Sequence, residues 1–244
     1  SDLFLFEVRT FLEKELSANF RVLTAVNGKV ALNLLGSEDI SLVLSDVMMP
    51  EMNGFELCKA VKTNLATSHI PLILLTALTD ERQRMYGISG GADGYIQKPF
   101  RVDFVKLRVI RILEERKKLR EALLQKLQNS NLLMAEPEKV ENMDDLFLRK
   151  FLTRIEQVYT DPEYNIEKLS DTLGLSRGHL HRKIKDLTGT SPVDFLRNFR
   201  LKKAAALLKQ KQYNISEIAY QTGFSSSAYF AKCFKAVYNL TPTE

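Results

Sequence analysis

The chain has two cysteines in 244 residues, too few for a disulfide framework, and Cys58 and Cys233 have no partner at metal-ligand spacing. Both are expected to be reduced, ordinary core or surface residues. Of the three histidines, His179 and His181 stand closest, but positions i and i+2 diverge on a helix and no third ligand is near in sequence. A metal pair is therefore set aside. No apolar stretch approaches the roughly 20 residues of a membrane span. The N-terminal residues also lack a basic region leading into an uninterrupted apolar core. A soluble, cytoplasmic chain without membrane contact is the expectation.

What is present is enough apolar material, 45% of residues, to bury sizeable cores, and two domains are expected at this length. The net charge of +5 is unevenly spread. Residues 1–148 carry 19 basic and 21 acidic groups, whereas residues 149–244 carry 16 basic and 9 acidic ones. The whole positive excess sits in the second part, which points to a polyanion partner for it.

Up to about residue 99 the chain alternates helical patterns with short apolar runs flanked by turn residues, the pattern of an open α/β sheet. Runs 20–26, 42–45 and 71–76 are rich in Val, Leu and Ile, as buried parallel strands are. A fourth run, 94–96, follows Gly90 and Gly91. Helices are expected over 3–16, 30–35, 54–64 and 80–89. The order αβαβαβαβα describes a doubly wound parallel sheet, flavodoxin-like, with its first strand missing.

From Arg101 a helical pattern runs to about residue 128, with positions 102, 105, 109, 112, 116, 119, 123 and 126 spaced alternately three and four apart. All but Arg116 and Lys126 are apolar. Such spacing fits either a dimerising coiled-coil seam or one amphipathic helix packed on its own sheet. Residues 129–145 have little periodicity, a proline and an acidic excess, the marks of a linker. The expected division is 1–115, then an extended helix and linker over 116–143, then an all-α domain over 144–244.

That all-α domain contains an internal repeat. Tyr164, Asn165, Ile166, Gly174 and Ser176 match Tyr213, Asn214, Ile215, Gly223 and Ser225; Leu180, Ile184 and Pro192 match Phe230, Phe234 and Pro242. One supersecondary unit is used twice. Each copy reads as an asparagine cap, a short helix, a glycine with φ above zero, a serine cap and a second helix, which is helix-turn-helix grammar. In copy one, Leu180, Ile184 and Leu187 form a buried face, with Arg177, His181, Arg182, Lys183 and Lys185 mostly elsewhere. One helix over 192–209 would link the units, spanning ~27 Å. Successive major-groove faces lie ~34 Å apart, so the spacing suits duplex DNA.

Residues 149–244, including RLKKAAALL from Arg200 and ISEIAYQTGFSSSAYFAKCFK from Ile215, resemble the AraC-type DNA-binding domain. That resemblance implies double-stranded DNA as partner. It also makes Arg177, Gly178, His181 and Arg182 the outward positions of the first recognition helix, and Ser227, Ala228, Tyr229 and Lys232 those of the second. Gly178 and Ala228 have no side chain able to hydrogen-bond a base. Arg182, His181, Lys232 and Tyr229 are the expected readers.

In the first half, the run LVLSDVMMPEMNGFEL places Asp46 at the carboxyl end of a strand, where ligands of open α/β sheets gather. Thr76 ends the next strand and Lys98 follows the last one. A carboxylate, a hydroxyl and an ammonium thus meet at one edge. These residues and GADGYIQKPF from Gly91 resemble the receiver domain of response regulators. The resemblance implies that Asp46 accepts a phosphoryl group from a sensor histidine kinase and that Thr76 and Lys98 bind its oxygens. It further implies that Met48 offers a backbone carbonyl to Mg²⁺ beside Asp46, and that Tyr95 is the aromatic switch.

The chain departs from that family at its start. A receiver opens with a strand ending in an acidic pair that holds Mg²⁺, and Asp2 is placed as a helix-start residue instead. This polypeptide as written is therefore expected to phosphorylate poorly. No kinase or transmitter motif is present, so the phosphoryl donor is another protein or a preceding portion of the same longer polypeptide. The order of domains resembles the output end of hybrid two-component systems. A non-enzymatic transcription regulator acting as a homodimer is the leading expectation. A phosphatase that used Asp46 as nucleophile would commonly carry a second acid where this chain has Met48. The other rival is a phosphate-independent DNA-binding module with a degenerate or truncated receiver.

Overall fold

The computed structural model describes the backbone of residues 2–77, 91–129 and 142–243, with side chains from residue 9 and without those of 126–129. The chain divides into two compact units, Ser1–Met134 and Ala135–Glu244.

In the first unit α1 (Asp2–Leu16), α2 (Gly28–Ser37), β1 (Val43–Asp46), α3 (Gly54–Thr63), β2 (Leu72–Thr76), β3 (Gly94–Gln97) and α4 (Val102–Asn129) follow in chain order. The strands form a parallel sheet in the order β1-β2-β3, with Asp46 opposite Leu75 and Thr76 opposite Gln97. Every residue of β2 is buried, because both faces of the sheet are covered. The period of two sorts its side chains. Ile73 and Leu75 pack with Leu12 and Leu16 of α1 and with Val105, Val109 and Ile112 of α4. Leu72 and Leu74 pack with Leu35 of α2 and with Leu57, Cys58 and Val61 of α3. The doubly wound α/β class is borne out.

Two expectations need adjustment. Residues 20–26 are not a strand: Phe20 and Val22 lie against the α1 and α4 side of the core, but no described strand pairs with the segment. β propensity alone cannot make a strand where no neighbour supplies ladder hydrogen bonds. In a doubly wound sheet that neighbour would be a leading strand, which the described residues do not include. The helix expected over 80–89 lies outside the described residues.

The α4 seam divides in two. Val105, Val109 and Ile112 are buried against the unit's own sheet, and Arg116 pairs with Asp93 at 2.8 Å. Leu119 is 66% exposed and Leu123 half-buried. Up to Ile112 the helix is an amphipathic cover; the side chain of Lys126 lies outside the described residues.

The second unit holds α5 (Met143–Val158), α6 (Ile166–Leu173), α7 (Arg177–Thr188), α8 (Pro192–Gln210), α9 (Ile215–Gln221) and α10 (Ser227–Tyr238). Starts are capped as the composition expects. Asn165 accepts from the Lys168 N–H, Ser176 from His179 and Ser191 from Asp194, with Pro192 in the first turn of α8. Asn214 forms a capping box with Glu217. Phe147, Phe151 and Ile155 of α5 are fully buried with Leu169, Leu180 and Ile184, while Ile218, Ala219, Phe230 and Phe234 build a second core on Leu201 and Ala204 of α8. Each helix-turn-helix copy thus has its own core, and α8 runs between them.

One repeat match shifts. The cap of α10 is Ser226, not Ser225: the Tyr229 N–H donates to the Ser226 hydroxyl at 3.3 Å. Gly174 and Gly223 are 49 apart, both with positive φ, whereas the caps Ser176 and Ser226 are 50 apart. The extra residue of copy two therefore falls inside its turn.

Candidate phosphoacceptor edge and nucleic-acid interface

At the carboxyl edge of the sheet, Asp46 and Lys98 meet directly, the lysine ammonium donating to Asp46 Oδ2. Their side chains are only 12% and 15% exposed, so the pair is largely shielded from water and its attraction is only weakly screened. Backbone register brings the third member alongside. Thr76 is buried at the end of β2, and its carbonyl accepts the Lys98 N–H at 2.7 Å. The Met48 N–H donates to Asp46 Oδ1 at 3.1 Å, and the Met48 side chain is exposed. Gly54 is required by space: a Cβ there would stand 2.3 Å from the Asp46 carbonyl oxygen. The loop after β1 can fold back over the carboxylate only with glycine at that point.

Tyr95 stands apart from this group. It faces Leu74 across the ladder and packs half-buried on the α3 side. Its hydroxyl is buried with no hydrogen-bond partner among the described residues. Burial, with the Cys58 thiol nearby, pushes its pKa up to about 12. Burial likewise raises the Cys58 thiol to about 11, the Lys62 ammonium opposing and Asp93 adding to the rise. Tyr95 lines an open depression with Thr76, Gln97 and Phe104.

The donor set at this edge does not by itself suit Mg²⁺, which takes six oxygen ligands. Asp46 has one oxygen on Lys98, and no group of three acidic, histidine or cysteine residues that could hold a metal occurs among the described residues.

The second unit carries the positions expected to face a nucleic acid, and their exposure differs. Arg177, His181, Tyr229 and Lys232 are exposed, as are Gly178 and Ala228; Arg182 and Ser227 are half-buried. Arg177 pairs with Glu167 at 2.8 Å. Both partners are more than half exposed, so the pair is weak and exchangeable for a phosphate. His179 contacts the Ser176 hydroxyl through Nδ1 at 2.8 Å, completing the α7 cap.

Lys183 corrects the sequence reading. Instead of standing with the outward donors it is fully buried, its ammonium on Asp144 Oδ1 at 2.7 Å and 5.0 Å from the Phe147 ring centre. The signal was available. Positions 180, 183, 184 and 187 are the i, i+3, i+4, i+7 stripe of an amphipathic helix, so Lys183 lies on the apolar face by spacing alone.

Two family models match the chain: a response regulator receiver domain over residues 1–109 and a helix-turn-helix domain over residues 169–244. A protein described as histidine kinase P4 from Formosa agariphila is 39% identical over 237 residues, or 97% of this chain. The chain spans 17% of that relative's length. The solved C-terminal domain of the two-component response regulator yesN from Fusobacterium nucleatum is 35% identical at a TM-score of 0.38, covering 39% of this chain and 93% of that one. A putative response regulator from Chloroflexus aurantiacus is 32% identical at a TM-score of 0.42, over 44% of this chain and 89% of that one. A receiver with an α-helical output unit is the class that the two family matches define. The chain is of the response regulator class, with a receiver domain over residues 1–109 followed by an AraC-type helix-turn-helix domain over residues 169–244.

Proposed function

We propose that this chain is the receiving and DNA-reading portion of a two-component phosphorelay, with 1–115 as receiver, 116–143 as connector and 144–244 as reader. The observation that carries the reading is the contact between Asp46 and Lys98 at the strand edge, with Thr76 on the neighbouring strand end. When the Asp46 carboxylate attacks a phosphohistidine phosphorus, the new O–P bond forms as the N–P bond breaks, and the imidazole leaves and takes up a proton. The ammonium then follows the negative charge onto the phosphoryl oxygens, and the Thr76 hydroxyl supplies a second donor. Tyr95, half-buried with a hydroxyl that has no partner among the described residues, is the side chain whose placement reports the change.

The donor is a histidine kinase, and the length of the P4 relative supports one on the same longer polypeptide. Mg²⁺ would be held by Asp46 and the Met48 backbone carbonyl, together with the acidic pair that the receiver family carries on a leading strand. The reader takes double-stranded DNA through Arg182, His181, Tyr229 and Lys232, with Arg177 and Ser227 at the helix starts. Pairing of two chains falls to the part of α4 around Leu119, whose side chain is exposed. Paired readers gain affinity on paired sites through effective concentration. Leu119→Glu is expected to weaken self-association in sedimentation equilibrium while leaving the receiver folded.

The test incubates this chain, and one extended by a leading strand that ends in an acidic pair, with Mg²⁺ and a small acyl phosphate. Labelling of the extended form that disappears in Asp46→Asn is the expected result. Labelling that survives Asp46→Asn would place the phosphoryl group on another residue and overturn the assignment of Asp46, whereas an extended form that never labels would favour a DNA-binding module independent of phosphate.

A further inference from the structure

The two reading helices α7 and α10 belong to separately packed cores, joined by α8, which is 19 residues or ~28 Å long. A single helix is a poor ruler if the units at its ends can swivel. A tilt of about 10° over that length moves the far unit by about 5 Å, more than the base-pair rise of roughly 3.4 Å. Something beyond α8 must hold the units in phase if both are to meet their grooves at once.

The structure contains such a brace where α5 ends. Arg200, in the middle of α8, donates from Nε to the Tyr159 carbonyl at 2.8 Å and from Nη2 to the Asp161 carbonyl at 2.6 Å. Its planar fork bridges the Tyr159 carbonyl at the end of α5 and the Asp161 carbonyl in the following turn, which also accepts the Tyr164 N–H at 3.2 Å. Against the same Tyr159 carbonyl lies the turn of the second copy. A Cβ on Gly223 would stand 2.0 Å from that oxygen and 2.8 Å from Arg200 Nε. The Tyr159 ring packs edge-on to Phe199, and Lys203 pairs with Glu156 at 2.5 Å. Residues 159–161 lead directly into α6 of copy one, whereas Gly223 introduces α10 of copy two. One carbonyl therefore joins copy one, α8 and copy two. Burial lowers the Arg200 pKa from its ordinary value, with Asp161 opposing, as expected of a guanidinium turned toward protein rather than solvent.

We propose that Arg200 is a positioning residue that sets the distance and phase between α7 and α10, and through them the half-site spacing the protein accepts. This rests on the DNA-reading function above, and the experiment separates the two claims. The full chain is first used to select duplexes from a random pool, giving a two-part site. Wild type, Arg200→Ala and Arg200→Lys are then measured on that duplex, on versions with one base pair added or removed between the halves, and on versions with either half scrambled. The lysine variant keeps the charge but cannot bridge both carbonyls, and circular dichroism melting identifies any variant that fails to fold. Should Arg200→Ala melt early, the lysine variant decides.

The expected result is a loss of about tenfold on the native spacing with each half-site affinity kept within about twofold, and a flattened preference among the three spacings. Salt dependence should be unchanged, because a direct phosphate contact would reduce its slope by about one. A uniform loss on all duplexes with the spacing preference intact would overturn the proposal. So would a reduced salt slope. If wild type selects no duplex, the DNA-reading function itself fails, and the spacing claim with it.

Discussion

The two helix-turn-helix copies share one backbone plan but lock their reading helices by different chemistry. With the caps Ser176 and Ser226 aligned, Lys183 of α7 corresponds to Cys233 of α10, and both are buried. In copy one the inward position holds a cation, neutralised by Asp144 from α5 and laid over Phe147. In copy two it holds a small thiol among aromatic rings, with Phe224, Phe230 and Phe234 at centroid distances of 5.1 and 5.6 Å. A buried ion pair contributes little net stability against apolar packing, yet it tolerates almost no displacement of either partner. Copy one is thus tied to α5, the first helix of its unit, while copy two is tied to α8. The turns differ as well: around Gly174 a Cβ would meet open space, whereas around Gly223 it would strike the Tyr159 carbonyl.

The largest effect should come from the turns. Gly223→Ala combines a left-handed φ of 81° with a backbone collision, and a loss above about 3 kcal/mol is expected in thermal or urea unfolding. Gly174→Ala, at φ 66° in open space, should cost about 1 kcal/mol. Equal costs would erase the contrast between the turns.

The inward position comes next. Lys183→Ala removes a fully buried cation and its contact with Asp144 and should destabilise the unit by about 3 kcal/mol, with much of that recovered by Lys183→Met combined with Asp144→Leu. Cys233→Ala removes only a sulfur and should cost about 1 kcal/mol. A Lys183→Ala protein as stable as Cys233→Ala would show that the ion pair does not hold α7.

On DNA, Arg182→Ala and Lys232→Ala should each weaken binding by about tenfold, with loss of sequence preference if they read bases and a reduced salt slope if they hold phosphates. Gel shifts across salt distinguish the two roles. The smallest effect tests the register of the second turn. Ser226→Ala should cost about 1 kcal/mol, as should Ser176→Ala, while Ser225→Ala should be nearly silent. The opposite order for Ser225 and Ser226 would move the inserted residue out of the turn.

Much of this was legible in the residues. The sheet strands near 43–46, 72–76 and 94–97 announced themselves as short apolar runs, because a strand buried on both faces leaves no polar alternation. Asp46 and Lys98 could be placed at one edge, since parallel strands deliver their carboxyl ends to the same side. Residues 20–26 carry strand-forming side chains yet form no strand for the converse reason: strand identity depends on a neighbour, and β propensity does not reveal whether the neighbour exists. The charge of Lys183 suggests an outward side chain, while its position on the helical stripe puts it inside, and the stripe decides. Arg200 gave no local signal, as its partners are carbonyls about forty residues earlier in the chain.

Sequence by itself determined the local matters: where helices start and stop, which turns need glycine, that one helical unit is used twice, and which residues collect at the strand edge. These follow from backbone preferences and from periodicity, which act over a few residues. Only the tertiary structure decided that a lysine lies inside, that residues 20–26 form no ladder, and that one carbonyl joins both reading units. Those outcomes depend on which distant groups meet after collapse, and the free energy of a buried charge or an unpaired amide is set by its partner rather than by its neighbours in the chain.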